Sequence, residues 1–239
     1  MRGLLLAALC ALLWGSAASE EGRKSGYLFM SPQTQAMQDD EATGPAALWL
    51  LEGEALFDRG CARCHTAAGM KGVAARYPAL HKGALLNLEQ RINACRVEQQ
   101  KAPALAYESR ELLALASFIG RQSRGLPIAV APVEPHLEAG RATFHRRQGQ
   151  LNLSCAQCHD QRWGRKLAGS TIPQGHPTGY PLYRLEWQAV GSLQRRLRNC
   201  LTGMRAESYP FGARELVELE LYLMMRASGM PLETPAVRP

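Results

Sequence analysis

Cys155-Ala156-Gln157-Cys158-His159 opens a stretch that closes on Arg196-Leu197-Arg198-Asn199-Cys200, and its reading decides the fold. The pentapeptide is a C-x-x-C-H sequence. Two thiols three residues apart, followed at once by an imidazole, are the attachment signature of a c-type haem. The thiols form thioethers with the haem vinyl groups, and the histidine takes one axial position on the iron. The same pattern stands earlier, at Cys61-Ala62-Arg63-Cys64-His65. A zinc site or a redox C-x-x-C is the alternative chemistry, but neither requires histidine directly after the second cysteine, still less twice. The sequence therefore predicts two covalently attached haem c groups. Cys61, Cys64, Cys155 and Cys158 are the covalent attachment points, and His65 and His159 are iron ligands.

Outward from the motifs the chain repeats itself. Arg91-Ile92-Asn93-Ala94-Cys95 answers Arg196 to Cys200, Arg110-Glu111-Leu112 answers Arg214-Glu215-Leu216, and Gly125-Leu126-Pro127 answers Gly229-Met230-Pro231. Each half reads as helix, haem motif, loop, cysteine-bearing helix and terminal helix. Helices are expected over 46–59, 85–97 and 109–120, then over 137–147, 187–204 and 214–226. In the first of them Leu48, Leu51 and Ala55 fall at helical spacing. No strand pattern competes. The expected fold class is all-α, resembling two tandem class I cytochrome c-like domains. Residues 46–127 form the domain of haem 1 and 137–239 that of haem 2 and the active site, with 128–136, holding Pro132 and Pro135, as the linker.

The first residues bound where this happens. Arg2, an apolar run from Leu4 to Trp14 and the small residues Ser16-Ala17-Ala18 read as a signal peptide over 1–18. The run is too short to span a bilayer. The expectation is an exported, periplasmic protein with no membrane span, preceded by a polar leader over 19–45. The formal charge is +7, one unit of which leaves with the signal. The basic residues are scattered and the protein is exported, which argues against nucleic acid as a partner.

Each iron needs a sixth ligand. Met204 is a candidate, as are the loop histidines His81 and His176. Met70 lies close after His65, and Met224 and Met225 fall inside a helical pattern where they pack. Cys95 and Cys200 are the stronger candidates because they hold equivalent places in the repeat. A disulfide between them is the structural alternative. Arg196 lies one helical turn before Cys200, on the same face, where a guanidinium favours a thiolate and binds an oxyanion bidentately. Binding a haem propionate is its other reading.

Two C-x-x-C-H motifs, each followed by R-[IL]-x-x-C, resemble the dihaem A subunit of the SoxAX cytochrome, L-cysteine S-thiosulfotransferase, over about residues 45 to 231. The resemblance implies a periplasmic enzyme that couples thiosulfate oxidatively to a cysteine of a sulfur-carrier protein (SoxYZ-like), with two electrons passing to haem. It implies His159 and Cys200 as axial ligands of the active-site haem, Cys200 as the catalytic residue and a cysteine persulfide, and Arg196 as the substrate-binding residue. It implies Cys61, Cys64, His65 and Cys95 around the first haem. The implied partners are a monohaem cytochrome c subunit (SoxX-like), the carrier, thiosulfate and an electron-acceptor cytochrome. A dihaem electron carrier without substrate chemistry, and a thiosulfate dehydrogenase forming tetrathionate, are the competing functions.

Overall fold

The computed structural model describes residues 22–239. The signal segment expected over 1–18 lies outside the described residues. Among them, no helix is long and apolar enough to cross a membrane.

Each half is built on one crossing of two helices. In the first, α2 (Ala47–Gly60) lies across α4 (Arg110–Arg121). In the second, α5 (His136–His145) lies across α8 (Arg214–Arg226). α1 (Pro32–Asp39) precedes them. The crossings are made close by glycine. A Cβ on Gly53 would run into the backbone of Ala114, and one on Gly140 into the backbone of Glu218, which are equivalent positions of the two terminal helices. The buried face of α2 is therefore Gly53 and Phe57. Leu48 and Leu51, which the spacing placed inward, are 65% and 63% exposed. Backbone approach, not side-chain bulk, chose the face.

Between the crossing helices sit the cysteine-bearing helices α3 (Leu88–Glu98) and α7 (Leu193–Gly203), and the short α6 (Cys155–His159). Asn87 and Ser192, at equivalent places, cap α3 and α7, each side chain accepting a backbone N–H of the first turn. Before each cap runs a hairpin: β1 (Ala79–His81) with β2 (Ala84–Leu86), and β5 (Leu182–Arg184) with β6 (Ala189–Gly191). β3 (Lys166–Leu167) pairs with β4 (Ser170–Thr171), and β7 (Ala236–Arg238) runs parallel to β5. The all-α expectation thus holds for the framework and misses, among the described residues, seven strands of two or three residues. The helix expected from Trp187 begins only at Leu193, because residues 189–191 are committed to the hairpin and Ser192 to the cap.

The halves meet about an approximate twofold axis. Gly125 N donates to Leu232 O (2.7 Å) and Gly229 N to Ile128 O (2.8 Å). Ile128 N donates to Met230 O and Leu232 N to Leu126 O, both at 2.9 Å. Every bond here has its symmetric counterpart, as an isologous contact requires. Tyr107 and Phe211, also equivalent, stack with centroids 5.7 Å apart. Ile128 and Val130, in the segment read as a linker, are buried against Leu221, Met224 and Met230. Residues 22–45 are not extended. α1 packs on β7, and the Gln38 side-chain oxygen accepts from Val237 N at 3.1 Å. Glu41 pairs with Arg121 and Arg124.

Candidate functional site

α6 owes its short helix to a capping box. Ser154 Oγ accepts from Gln157 N (3.3 Å) and Gln157 Oε1 accepts from Ser154 N (2.9 Å). This turn sets Cys155 and Cys158 on one side, one turn apart, with His159 following. His159 Nδ1 lies 2.7 Å from the carbonyl of Pro173. A carbonyl only accepts, so Nδ1 carries the proton and Nε2 keeps its lone pair free for iron. Burial lowers the imidazole pKa, with Arg196 and Arg226 acting the same way against the Pro173 bond, and the ring stays neutral as a metal ligand must. Gly175, at φ +74°, lies against the ring. A Cβ there would meet His159 atoms at 3.1–3.3 Å.

Cys200 comes from α7 and lines an apolar cavity together with Cys155, Leu197, Leu201, Met204 and Leu219. Burial, with the Cys200 thiol second, pushes the Cys155 thiol up to about 12. Met204, the rival ligand, stands at the same cavity. Of the other rivals, Met224 and Met230 are in the core, His81 lies 3.7 Å from Glu98, and His176 Nδ1 donates to Lys24 O at 2.9 Å. All six cysteines of the described residues are free thiols, so Cys95 and Cys200 are not bridged.

Of the arginines around Cys200, Arg195 stacks over Trp187 (4.3 Å) and Arg198 over Phe211 (4.5 Å), where Arg198 also binds the Tyr209 carbonyl. Arg196 differs. Among the described residues its guanidinium has no hydrogen-bond or ion-pair partner, and it feels the Cys200 thiol directly. Burial opposes its charge, but Cys200, Tyr180 and Glu186 outweigh burial and raise its pKa. Tyr180 is the residue that sequence reading missed. It faces Arg196, Arg184 and Cys200, and burial raises its phenol. The signal was present, since Tyr77-Pro78 and Tyr180-Pro181 precede the two hairpins. Pro173 left no signal, because its part is played by a backbone carbonyl.

The first site is more open. Cys61 to His65 continues α2 as a further turn, with His65 N donating to Cys61 O at 2.9 Å. Cys64 and His65 are exposed. Burial raises the Cys61 thiol, and Cys95 on α3 adds to it, so the pairing of motif cysteine with helix cysteine occurs in both halves. Glu98, at the end of α3, pairs with Lys82 at 2.6 Å.

The residues fit haem on this structure's own terms. A neutral histidine presents a free Nε2, two thiols precede it on one turn, and a further thiol lines the same apolar cavity as the first of them. The fold and site define a c-type cytochrome carrying covalent haem c. The family model described as SoxA/TsdA, cytochrome c domain, matches residues 51–128 and 139–232, and the chain belongs to that family. It is 35% identical to the L-cysteine S-thiosulfotransferase subunit SoxA of Rhodovulum sulfidophilum, over 90% of this chain and 80% of that one. It is 34% identical to the SoxA of Pseudaminobacter salicylatoxidans, over 93% and 85%. The crystal structure of SoxXA from P. pantotrophus superposes with a TM-score of 0.87 at 30% identity, covering 91% of this chain and 87% of that one.

Proposed function

We propose that this chain is the dihaem subunit of an L-cysteine S-thiosulfotransferase, joining thiosulfate oxidatively to a cysteine of a sulfur-carrier protein. The observation that carries the reading is Arg196, partly buried, without a hydrogen-bond or ion-pair partner among the described residues and in electrostatic contact with Cys200. Relatives named for this activity, similar along most of their length, support it. Cys61, Cys64, His65 and Cys95 hold one haem c, and Cys155, Cys158, His159 and Cys200 the other. When bound, the haem supplies the electron sink that oxidative coupling needs.

The chain's own residues do the rest. Arg196 binds the sulfonate end of thiosulfate through paired N–H donors, and the Tyr180 hydroxyl lies in reach of the same charge. The terminal sulfur is thereby directed at the sulfur carried on Cys200. Across the turnover a sulfur–sulfur bond forms between that terminal sulfur and the carrier cysteine. The carrier thiol gives up its proton, and two electrons leave. The apolar cavity side keeps water from the reacting sulfurs. By likeness to SoxXA the partner subunit is a SoxX-like monohaem cytochrome. The carrier is SoxYZ-like, an acceptor cytochrome takes the electrons, and the site of action is the periplasm. Product analysis with holoprotein, thiosulfate and an external acceptor tests this. Thiosulfate appears on the carrier cysteine and none is consumed without carrier. Carrier-independent tetrathionate would make the chain a thiosulfate dehydrogenase instead.

A further inference from the structure

The axis between the halves holds a polar network that the chemistry above does not use. Glu220, on α8, is 6% exposed. Its Oε1 accepts from Gln194 Nε2 at 2.6 Å and from Asn87 Nδ2 at 3.1 Å. Gln194 lies in the first turn of α7 and Asn87 is the cap of α3. Neither amide can turn round. Gln194 Oε1 already accepts from Gly212 N (2.7 Å), and Asn87 Oδ1 from Gln90 N (2.9 Å) and the Tyr107 hydroxyl (3.1 Å). The carboxyl of Glu220 thus joins the first turns of the two cysteine-bearing helices through side chains, beside the Gly212 backbone, which accepts from Gln90 Nε2 (3.1 Å) and donates to Gln194 Oε1.

We propose that Glu220 is a positioning residue for the reaction at Cys200: its carboxyl ties the first turn of α7 to the cap of α3, and through α7 it holds Arg196 and Cys200 in place.

The inference rests on reading Arg196 and Cys200 as the reacting pair. A helix rises about 1.5 Å per residue, so Gln194 stands roughly 3 Å from Arg196 and 9 Å from Cys200 along the axis. A shift of that first turn is carried rigidly to both. The groups facing Glu220 are Glu89 of α3, and beyond it Glu108 and Tyr107 from the turn before α4. Arg195 lies 3.9 Å from Glu108, and Glu108 also accepts from Ser192 N. Among the described residues no cation pairs with Glu220 or Glu89. Burial raises both carboxyls and the Glu89 charge raises Glu220 further, against the pull of Gln194 and Asn87. One proton therefore sits on Glu220 at neutral pH, on the oxygen turned from the two amides. Its loss puts a second anion beside Glu89 in a dry site, and like charges there push α3 and α7 apart.

The test compares Glu220→Gln, Glu220→Leu and wild-type holoprotein. Glutamine keeps the shape and both accepted bonds but cannot ionise. Each protein is followed from about pH 7 to 9, across the upper proton loss, by KM for thiosulfate, the absorption of haem 2 and the melting temperature. The wild type is expected to show a several-fold rise in KM, with kcat moving less, and a parallel spectral drift and fall in melting temperature. In Glu220→Gln all three pH dependences shrink toward none. Glu220→Leu, which joins nothing, shows the high KM already at the lower pH. If Glu220→Gln keeps the wild-type pH dependence of the spectrum and melting temperature, the proposal is wrong. If those flatten but no variant, nor the wild type, uses thiosulfate at any pH, the joint stands and the assignment of the reaction falls.

Discussion

His159 and Cys200 reach one site by different physical routes, and single substitutions separate them. His159 is oriented by a carbonyl and a glycine. Gly175→Ala adds a Cβ against the ring at a left-handed backbone position. Such a change costs on the order of 1 kcal/mol and should shift the haem 2 spectrum while both haems stay attached, as optical titration and denaturing haem stain will show. Arg196→Ala removes a charge-assisted bond to the substrate, worth roughly 1.5–3 kcal/mol, so kcat/KM for thiosulfate should fall about ten- to a hundred-fold. Arg91→Ala, at the equivalent place of the first half, should leave it near wild type. Steady-state kinetics on the pair decide. At this scale the sequence offers candidates where a side chain would carry the part. The C-x-x-C-H motifs and the Arg-x-x-x-Cys spacing single out theirs without a structure. Pro173 acts through its backbone and could not be read from local pattern, whereas Tyr180 was marked only by the Tyr-Pro pair repeated before each hairpin.

The helices were legible as elements, and their faces less so. Leu48 and Leu51 have helical spacing but sit on the exposed side, because the crossing with α4 is made by Gly53 against a backbone carbonyl. Hydrophobic period reports which residues can be buried, and backbone approach decides which are. The hairpins escaped because strands of three residues are too short to show alternation. Two predictions belong here. Gly140→Ala should force α5 off α8 and destabilise by about 1–3 kcal/mol, more than the same change at Gly203, where a Cβ meets nothing within 4 Å. Ser192→Ala should cost about 1 kcal/mol by uncapping α7. Thermal unfolding of the holoproteins measures both.

As a whole molecule, the chain is two like units fused across an axis that neither could leave exposed. The paired bonds between 125–128 and 229–232, and the burial of Ile128 and Val130 against α8, join the halves along this axis. The repeat was legible in sequence, but the axis was not, since equivalence along a chain does not say how equivalents meet. The buried carboxyls there set a pH dependence. Both have ordinary values near 4.5 and are raised on folding, Glu89 to about 7 and Glu220 to about 8. Folding therefore binds protons in that interval. Their contribution to stability is fully present below about pH 4.5 and is lost as pH rises through about 7 and 8. Melting temperature should fall from pH 6 to 9, to a degree that Glu89→Gln with Glu220→Gln reduces. The central claim is that the sulfur chemistry happens on Cys200. Its most direct test is the intact mass of the carrier protein after incubation with thiosulfate, an external acceptor and either wild-type or Cys200→Ala holoprotein, both first shown to carry two haems. The account predicts the thiosulfate adduct with wild type and none with Cys200→Ala, while Cys95→Ala still yields it. Full adduct formation by Cys200→Ala would contradict the account and leave the chain an electron carrier.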